Sequence, residues 1–196
     1  IDHIMSSGIK VITNVSIGKD VSMEDIQKSF DAVYISIGAH NDKKLGIEGE
    51  DAINVVSAVA LLRRIGEGDA PDFTGKKICV IGGGNVAMDA ARCAIRLGAE
   101  HVYVVYRRGE AEMPARAEEK HHAKEEGIEF KTLCNPIEII GDENGRVKAM
   151  KCIRMELGEP DASGRRRPIE VPGSEFELEV DTVIMSLGTS PNPLLR

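Results

Sequence analysis

The stretch VIGGGNVAMDAAR, residues 80–92, decides how this chain is read. An apolar strand end breaks into three glycines and resumes as a helix. Gly82, Gly84 and Ala87 fill the positions of the pattern G-x-G-x-x-G/A. In that pattern the first position permits a tight turn, the second lets backbone approach a pyrophosphate, and the third must be small for helix and strand to pack closely. Gly83 lies between the first two with no side chain to obstruct them. Asn85 and Val86 place backbone amides in the first helical turn, where N–H groups lack partners and the helix dipole is positive. Gly82, Gly83, Gly84, Asn85, Val86 and Ala87 are therefore the expected phosphate-binding residues.

Outward from the turn, the order of elements is regular. Residues 77–81 read as a strand, 85–97 as a helix stopped by Gly98, and 101–106 as a second strand. A charged helix over 114–126, stopped by Gly127, and a strand over 128–133 follow. Such alternation implies parallel strands joined by crossover helices. Residues 136–180 contain strand patterns only, with a hairpin turn at 142–145. Residues 158–168, GEPDASGRRRP, read as a polar loop whose three arginines form a solvated hairpin tip. A last strand runs to Gly188. Upstream, 9–15 and 32–37 are expected strands, 54–68 is an expected helix with Gly66 as its stop, and 66–77 is an expected linker. The expected fold class is α/β: a Rossmann-like parallel sheet with crossover helices and an antiparallel β-hairpin insertion.

Bulk composition narrows the possible functions. Of 196 residues, 42% are hydrophobic and 29% charged, an ordinary globular balance. A formal charge of −7, no Trp and only 4% aromatic residues argue against nucleic-acid binding. The longest apolar stretches, such as VVSAVALL at 55–62, are far too short for a bilayer. No basic-then-apolar segment opens the chain, so a cytoplasmic location is expected. The four cysteines, Cys79, Cys93, Cys134 and Cys152, form no CxxC pair, so neither a metal or iron–sulfur site nor a redox disulfide is expected. Adjacent His121 and His122 face different directions on a helix and make a poor metal pair. The chain begins Ile-Asp-His, and the expectation is a piece of something longer.

The second strand separates one nucleotide from another. A reader of NAD carries Asp or Glu at the end of that strand, to bond the ribose hydroxyls. Here VYVVYRRGE delivers Arg107 and Arg108 instead. A guanidinium binds a 2′-phosphate through charge-assisted hydrogen bonds, whereas an acid would repel it. The pair argues for NADPH and against NAD and S-adenosylmethionine. Arg116, after Met113-Pro114, is a further candidate for the same phosphate. Asp89 suits the helix dipole better than a cofactor contact.

Taken together, GKKICVIGGGNVAMDAAR, VVYRR, EMPA (112–115) and DTVIMSLGTSPN (181–192) closely resemble the NADPH-binding domain of the glutamate synthase small (beta) subunit family. FDAVYISIGAHNDKKLGIEGED (30–51) resembles that family's return to its FAD domain. The likeness spans nearly the whole chain. It implies residues 1–72 as a partial FAD-domain segment with linker, and 73–196 as the NADPH-binding domain returning to the FAD domain. It implies Gly188 and Thr189 near the nicotinamide end and Gly38 facing the flavin. It also implies hydride passing from NADPH to FAD, with electrons continuing through iron–sulfur clusters outside this chain to a large glutamate synthase subunit. Another electron acceptor, such as ferredoxin, or a non-redox NADP(H)-binding module remains open. The family's first GxGxxG is absent here, so this stretch alone is not expected to hold FAD. Since hydride passes between two cofactors, no catalytic side chain is expected.

Overall fold

In the computed structural model, which describes residues 2–162 and 164–191, the chain divides into two units, the first ending at Gly38 and the second beginning at Ala39. The first unit contains two short helices, α1 (Asp2–Met5) and α2 (Met23–Ser29). Ser22 caps α2 by accepting a hydrogen bond from the Asp25 amide. The strands expected over 9–15 and 32–37 do not form. Those residues make no ladder with any described residue, and Ile9, Ile12, Val33, Tyr34 and Ile35 are exposed. An apolar β-branched run is only half of a strand, because the other half is a neighbour to receive its backbone hydrogen bonds.

In the second unit, β1 (Asn41–Asp42) is followed by β2 (Val55–Ser57), α3 (Ala58–Gly66), β3 (Lys77–Ile81), α4 (Asn85–Arg96) and β4 (His101–Tyr106). A 3₁₀ turn at Glu110–Glu112 leads to α5 (Ala117–Glu125) and β5 (Glu129–Thr132). Then come β6 (Cys134–Gly141), β7 (Val147–Pro160), β8 (Arg166–Glu170), β9 (Phe176–Glu179), β10 (Thr182–Met185) and β11 (Thr189–Ser190). The central sheet has the order β2-β10-β3-β4-β5 and every pairing in it is parallel. A second sheet has the order β6-β7-β8, with β9 also on β7, all antiparallel. This is the expected α/β class.

Strand alternation sorts the side chains into two cores. Ile78 and Val80 join Val102, Val104 and Ile184 against the helices, together with Ala87, Met88, Ala90, Ala91 and Ala94 of α4. The alanines let α4 lie close to β3, as the third motif position requires. Cys79 and Ile81 face the other way, joining Val105, Val183 and Met185 against Ile139, Met150 and Cys152 of the antiparallel sheet. The result is three layers: helices, parallel sheet, antiparallel sheet. Both faces of the parallel strands are covered, which is why β3 and β10, after a polar first residue, read as apolar runs.

Several boundaries differ from those expected. The helix expected from residue 54 begins at Ala58, and the residues before it form β2, parallel to β10. Ser57 separates the two by accepting hydrogen bonds from the Val59 and Ala60 amides at 3.1 and 3.3 Å. The helix expected from Pro114 begins at Ala117, because the preceding residues are spent in the 3₁₀ turn and in burying Met113 and Ala115. The expected linker over 66–77 is held in place: Phe73 is buried and its amide donates to the Leu97 carbonyl, as Gly75 does to Gly98. The turn between β6 and β7 is as expected. Asp142 Oδ1 accepts from the Asn144 and Arg146 amides, and Gly145 takes φ +73°.

Candidate functional site

The three motif glycines meet three different constraints. Gly82 has φ +144°, and a Cβ there would lie 2.3 Å from the Ser186 carbonyl oxygen. Its own amide donates to Val105. Only glycine fits this crossing between β3, β4 and the end of β10. A Cβ on Gly83 would meet the Tyr106 ring at 2.7 Å, and that ring is fixed by its hydroxyl donating to the Glu112 carbonyl at 3.0 Å. Gly84 is different. Nothing lies within 4 Å of its Cβ position, and its φ of −92° is open to any residue. Its lack of a side chain keeps clear the space in front of the helix.

Gly84 caps α4 without any side-chain hydrogen bond. Its carbonyl accepts from the Ala87 and Met88 amides, while those of Gly84, Asn85 and Val86 find no acceptor among the described residues. Three unpaired donors at the positive end of a helix form a site for an anionic oxygen. The Asn85 side chain is occupied elsewhere, its Oδ1 accepting from the Arg116 amide at 2.9 Å. Ala87 is fully buried behind the turn and acts through packing.

In front of the turn lies a cavity of about 620 Å³, within the usual range for small-molecule sites. It opens at the carboxyl ends of β3, β4 and β10, where the chain leaves β3 towards β4 on one side and reaches β10 on the other. Open α/β sheets bind ligands at such a switch point. Gly82, Gly83, Gly84, Asn85 and Val86 line it, as do Arg107, Arg108, Gly188 and Thr189. Gly188 has φ +92° and its carbonyl accepts from the Lys43 amide, while Thr189 pairs with Asp42 in the two-stranded β1–β11 ladder. Arg116 is exposed at the start of α5 and does not line the cavity. Gly38 closes the first unit at φ +65°.

The two arginines of β4 part company. Arg107 is exposed, lines the cavity, and has no hydrogen-bond or ion-pair partner among the described residues. Arg108 is 7% exposed and already engaged. Its guanidinium donates to Asp161 Oδ2 at 2.6 Å and, through Nε, to the Arg166 carbonyl at 2.8 Å. Arg166 in turn donates to Glu112 Oε1 at 2.8 Å and holds that carboxyl below the usual carboxylate range. The hairpin expected as a solvated tip is thus clasped to the end of β4, and Arg165 from it lines the cavity. Lys43, Asn135, Ser186 and Arg165 line the site without having been expected. Only the arginine run carried a local signal; the others come from positions distant in sequence.

The thiols offer no nucleophile. All four cysteines are free, and burial pushes each above its ordinary value, Cys152 to about 12.

A glycine turn without side chains, three unpaired amides and a cationic strand tip around one cavity suit a phosphorylated dinucleotide. Comparison with known proteins gives the same direction. The pyridine nucleotide-disulphide oxidoreductase family matches residues 3–196. The chain belongs to this family. Among its relatives, the NADPH-Fe(3+) oxidoreductase subunit beta of Geobacter sulfurreducens is 47% identical over 98% of this chain and 29% of that protein. The small chain of glutamate synthase [NADPH] of Escherichia coli is 40% identical over 94% of this chain and 41% of that one. The chain thus spans about three-tenths to two-fifths of the length of these relatives. In fold it is similar to Mycobacterium tuberculosis FprA in complex with NADPH, with a TM-score of 0.76 at 24% identity, over 92% of this chain and 55% of that one. The resemblance to glutamate synthase small subunits is that of one oxidoreductase family.

Proposed function

We propose that this chain is the NADPH-binding domain of a reductase like the small subunit of glutamate synthase. The observation that carries the reading is the juxtaposition in one cavity of the Gly84, Asn85 and Val86 amides with Arg107, which has no partner among the described residues. The amides suit the pyrophosphate and Arg107 suits the 2′-phosphate. Gly188 and Thr189, with Leu187, form the wall for the nicotinamide end. When bound, the cofactor supplies a hydride; the chain's residues place and orient it. A relative named for NADPH at 40% identity supports the choice of coenzyme.

In this reading the hydride goes to FAD in the full-length protein, and electrons continue through iron–sulfur clusters outside this chain. The flavin-facing strip is the part before β2, since β2 and α3 share the nucleotide sheet and its core. Glutamate synthesis with a large partner subunit is the proposed destination. A second acceptor is favoured by one observation, the 47% identity to a subunit named for Fe(3+) reduction. Anaerobic mixing of the full-length protein with NADPH or NADH tests the reading. Bleaching of the flavin by NADPH at far lower concentration than by NADH is expected; equal or better reduction by NADH contradicts it. Subsequent addition of glutamine with 2-oxoglutarate, or of Fe(3+), and the partner subunit separates the acceptors.

A further inference from the structure

We propose that the β7–β8 hairpin forms the second wall of the 2′-phosphate site, with Arg165 sharing that anion with Arg107 and Arg108 acting as a positioning residue. This rests on the NADP(H) reading above and adds a specificity element contributed from 58 residues further along the chain.

The geometry of the hairpin carries it. Side chains alternate along a strand, so Arg166 and Arg167 at the start of β8 face opposite ways. Arg166 is turned to Glu112, which it meets at 2.8 Å. Arg165 lines the cavity in front of the glycine turn, and Arg167 lines a neighbouring one of about 580 Å³. Arg107 lines both. Arg107 and Arg165, from two distant segments, therefore border the same space, within a chain of net charge −7. Of the carboxylates at the clasp, Asp161 is matched by Arg108 at 2.6 Å and Glu112 by Arg166, while Asp42 lines the cavity from β1 and Glu170 lines the neighbouring one.

Arg108 does its work through the hairpin. Bonded at once to Asp161 and to the Arg166 carbonyl, it grips the chain on both sides of Arg165. A fork of fixed donors can span a side chain and a backbone carbonyl in this way; a lysine, with one flexible ammonium, cannot do so in the same geometry. A phosphomonoester flanked by Arg107 and Arg165 would receive charge-assisted bonds from two directions.

Calorimetric titration of the full-length protein with 2′,5′-ADP and with 5′-AMP tests this, because the two fragments differ only in the 2′-phosphate. Arg165→Ala is expected to weaken 2′,5′-ADP by about 10- to 100-fold and leave 5′-AMP unchanged. Arg165→Lys should recover part of the loss, and Arg167→Ala should change either fragment less than about threefold. Arg108→Lys should lower the preference for 2′,5′-ADP as well, which a purely structural loss, felt equally by both fragments, would not. If Arg165→Ala leaves 2′,5′-ADP unchanged while Arg107→Ala weakens it, the hairpin role is overturned and the NADP(H) reading stands. Equal loss for both fragments also overturns it. A wild-type protein without preference for 2′,5′-ADP overturns both.

Discussion

At Gly82 and Gly84 one side-chain methyl would have opposite consequences. Alanine at Gly82 forces a strained φ and a collision with the Ser186 carbonyl, so Gly82→Ala should cost about 1–3 kcal/mol of stability, read as a lower urea midpoint. Alanine at Gly84 meets nothing in the fold, so Gly84→Ala should leave that midpoint within about 0.5 kcal/mol of wild type while weakening nucleotide binding at least about tenfold. A stable Gly84→Ala protein that binds normally would show that no phosphate comes near the turn. At the tip of β4, Arg107→Ala should weaken NADP⁺ by about 1.5–3 kcal/mol and NAD⁺ by little, measured by equilibrium titration. The motif residues were legible because their constraints act between near neighbours in sequence. The division of labour between Arg107 and Arg108 was not, since Asp161, the partner that engages Arg108, lies 53 residues away.

Helices α4 and α5 are joined by an ion-pair cluster. Glu126, just beyond α5, accepts from Arg92 Nε at 2.7 Å and from Arg96, while Arg92 also reaches Glu119 at 3.2 Å. The hydrogen bond from Arg96, followed by that from Arg92, holds the Glu126 carboxyl below its ordinary value despite desolvation acting the other way. A carboxylate lowered in the folded state stabilises it at neutral pH, and that contribution fades as pH falls through the lowered value. Glu126→Gln should therefore cost about 1 kcal/mol at pH 7, with the gap to wild type closing below about pH 4. A gap independent of pH in parallel denaturation curves would contradict this. Element types were readable wherever periodicity was strong, as in β3, α4 and β4. The helix expected over 54–68 concealed β2 because VVSAVALL is apolar but for Ser57, and that capping residue alone marked the change. The strands expected over 9–15 and 32–37 failed for a different reason: local pattern shows the propensity to extend, but not whether a neighbour exists.

Across the molecule, an acidic chain carries a locally basic cavity wall, with Lys43, Arg107 and Arg165 facing the glycine turn. Binding should therefore be charge-selective and should stabilise the second unit as a whole. A ligand at 100 times its dissociation constant adds about 2.7 kcal/mol to the folded state, so NADP⁺ should raise the melting temperature at concentrations where NAD⁺ does not. Equal shifts would place the binding energy in groups the two coenzymes share. The first unit leaves Ile9, Ile12, Phe30 and Tyr34 exposed, and relatives of which only 29% and 41% is matched extend past this span. Fold class was legible from alternation of strands and helices, whereas the clasp between hairpin and β4 depends on three-dimensional closure that no local pattern encodes. The proposed site joins the glycine turn and Arg107, one for the pyrophosphate and the other for the 2′-phosphate of a single nucleotide. A crystal structure with NADP⁺ tests it most directly. Pyrophosphate oxygens are expected on the Gly84, Asn85 and Val86 amides and the 2′-phosphate within hydrogen-bonding distance of Arg107; a nucleotide bound with its 2′-phosphate in solvent, away from that guanidinium, would contradict the proposed function.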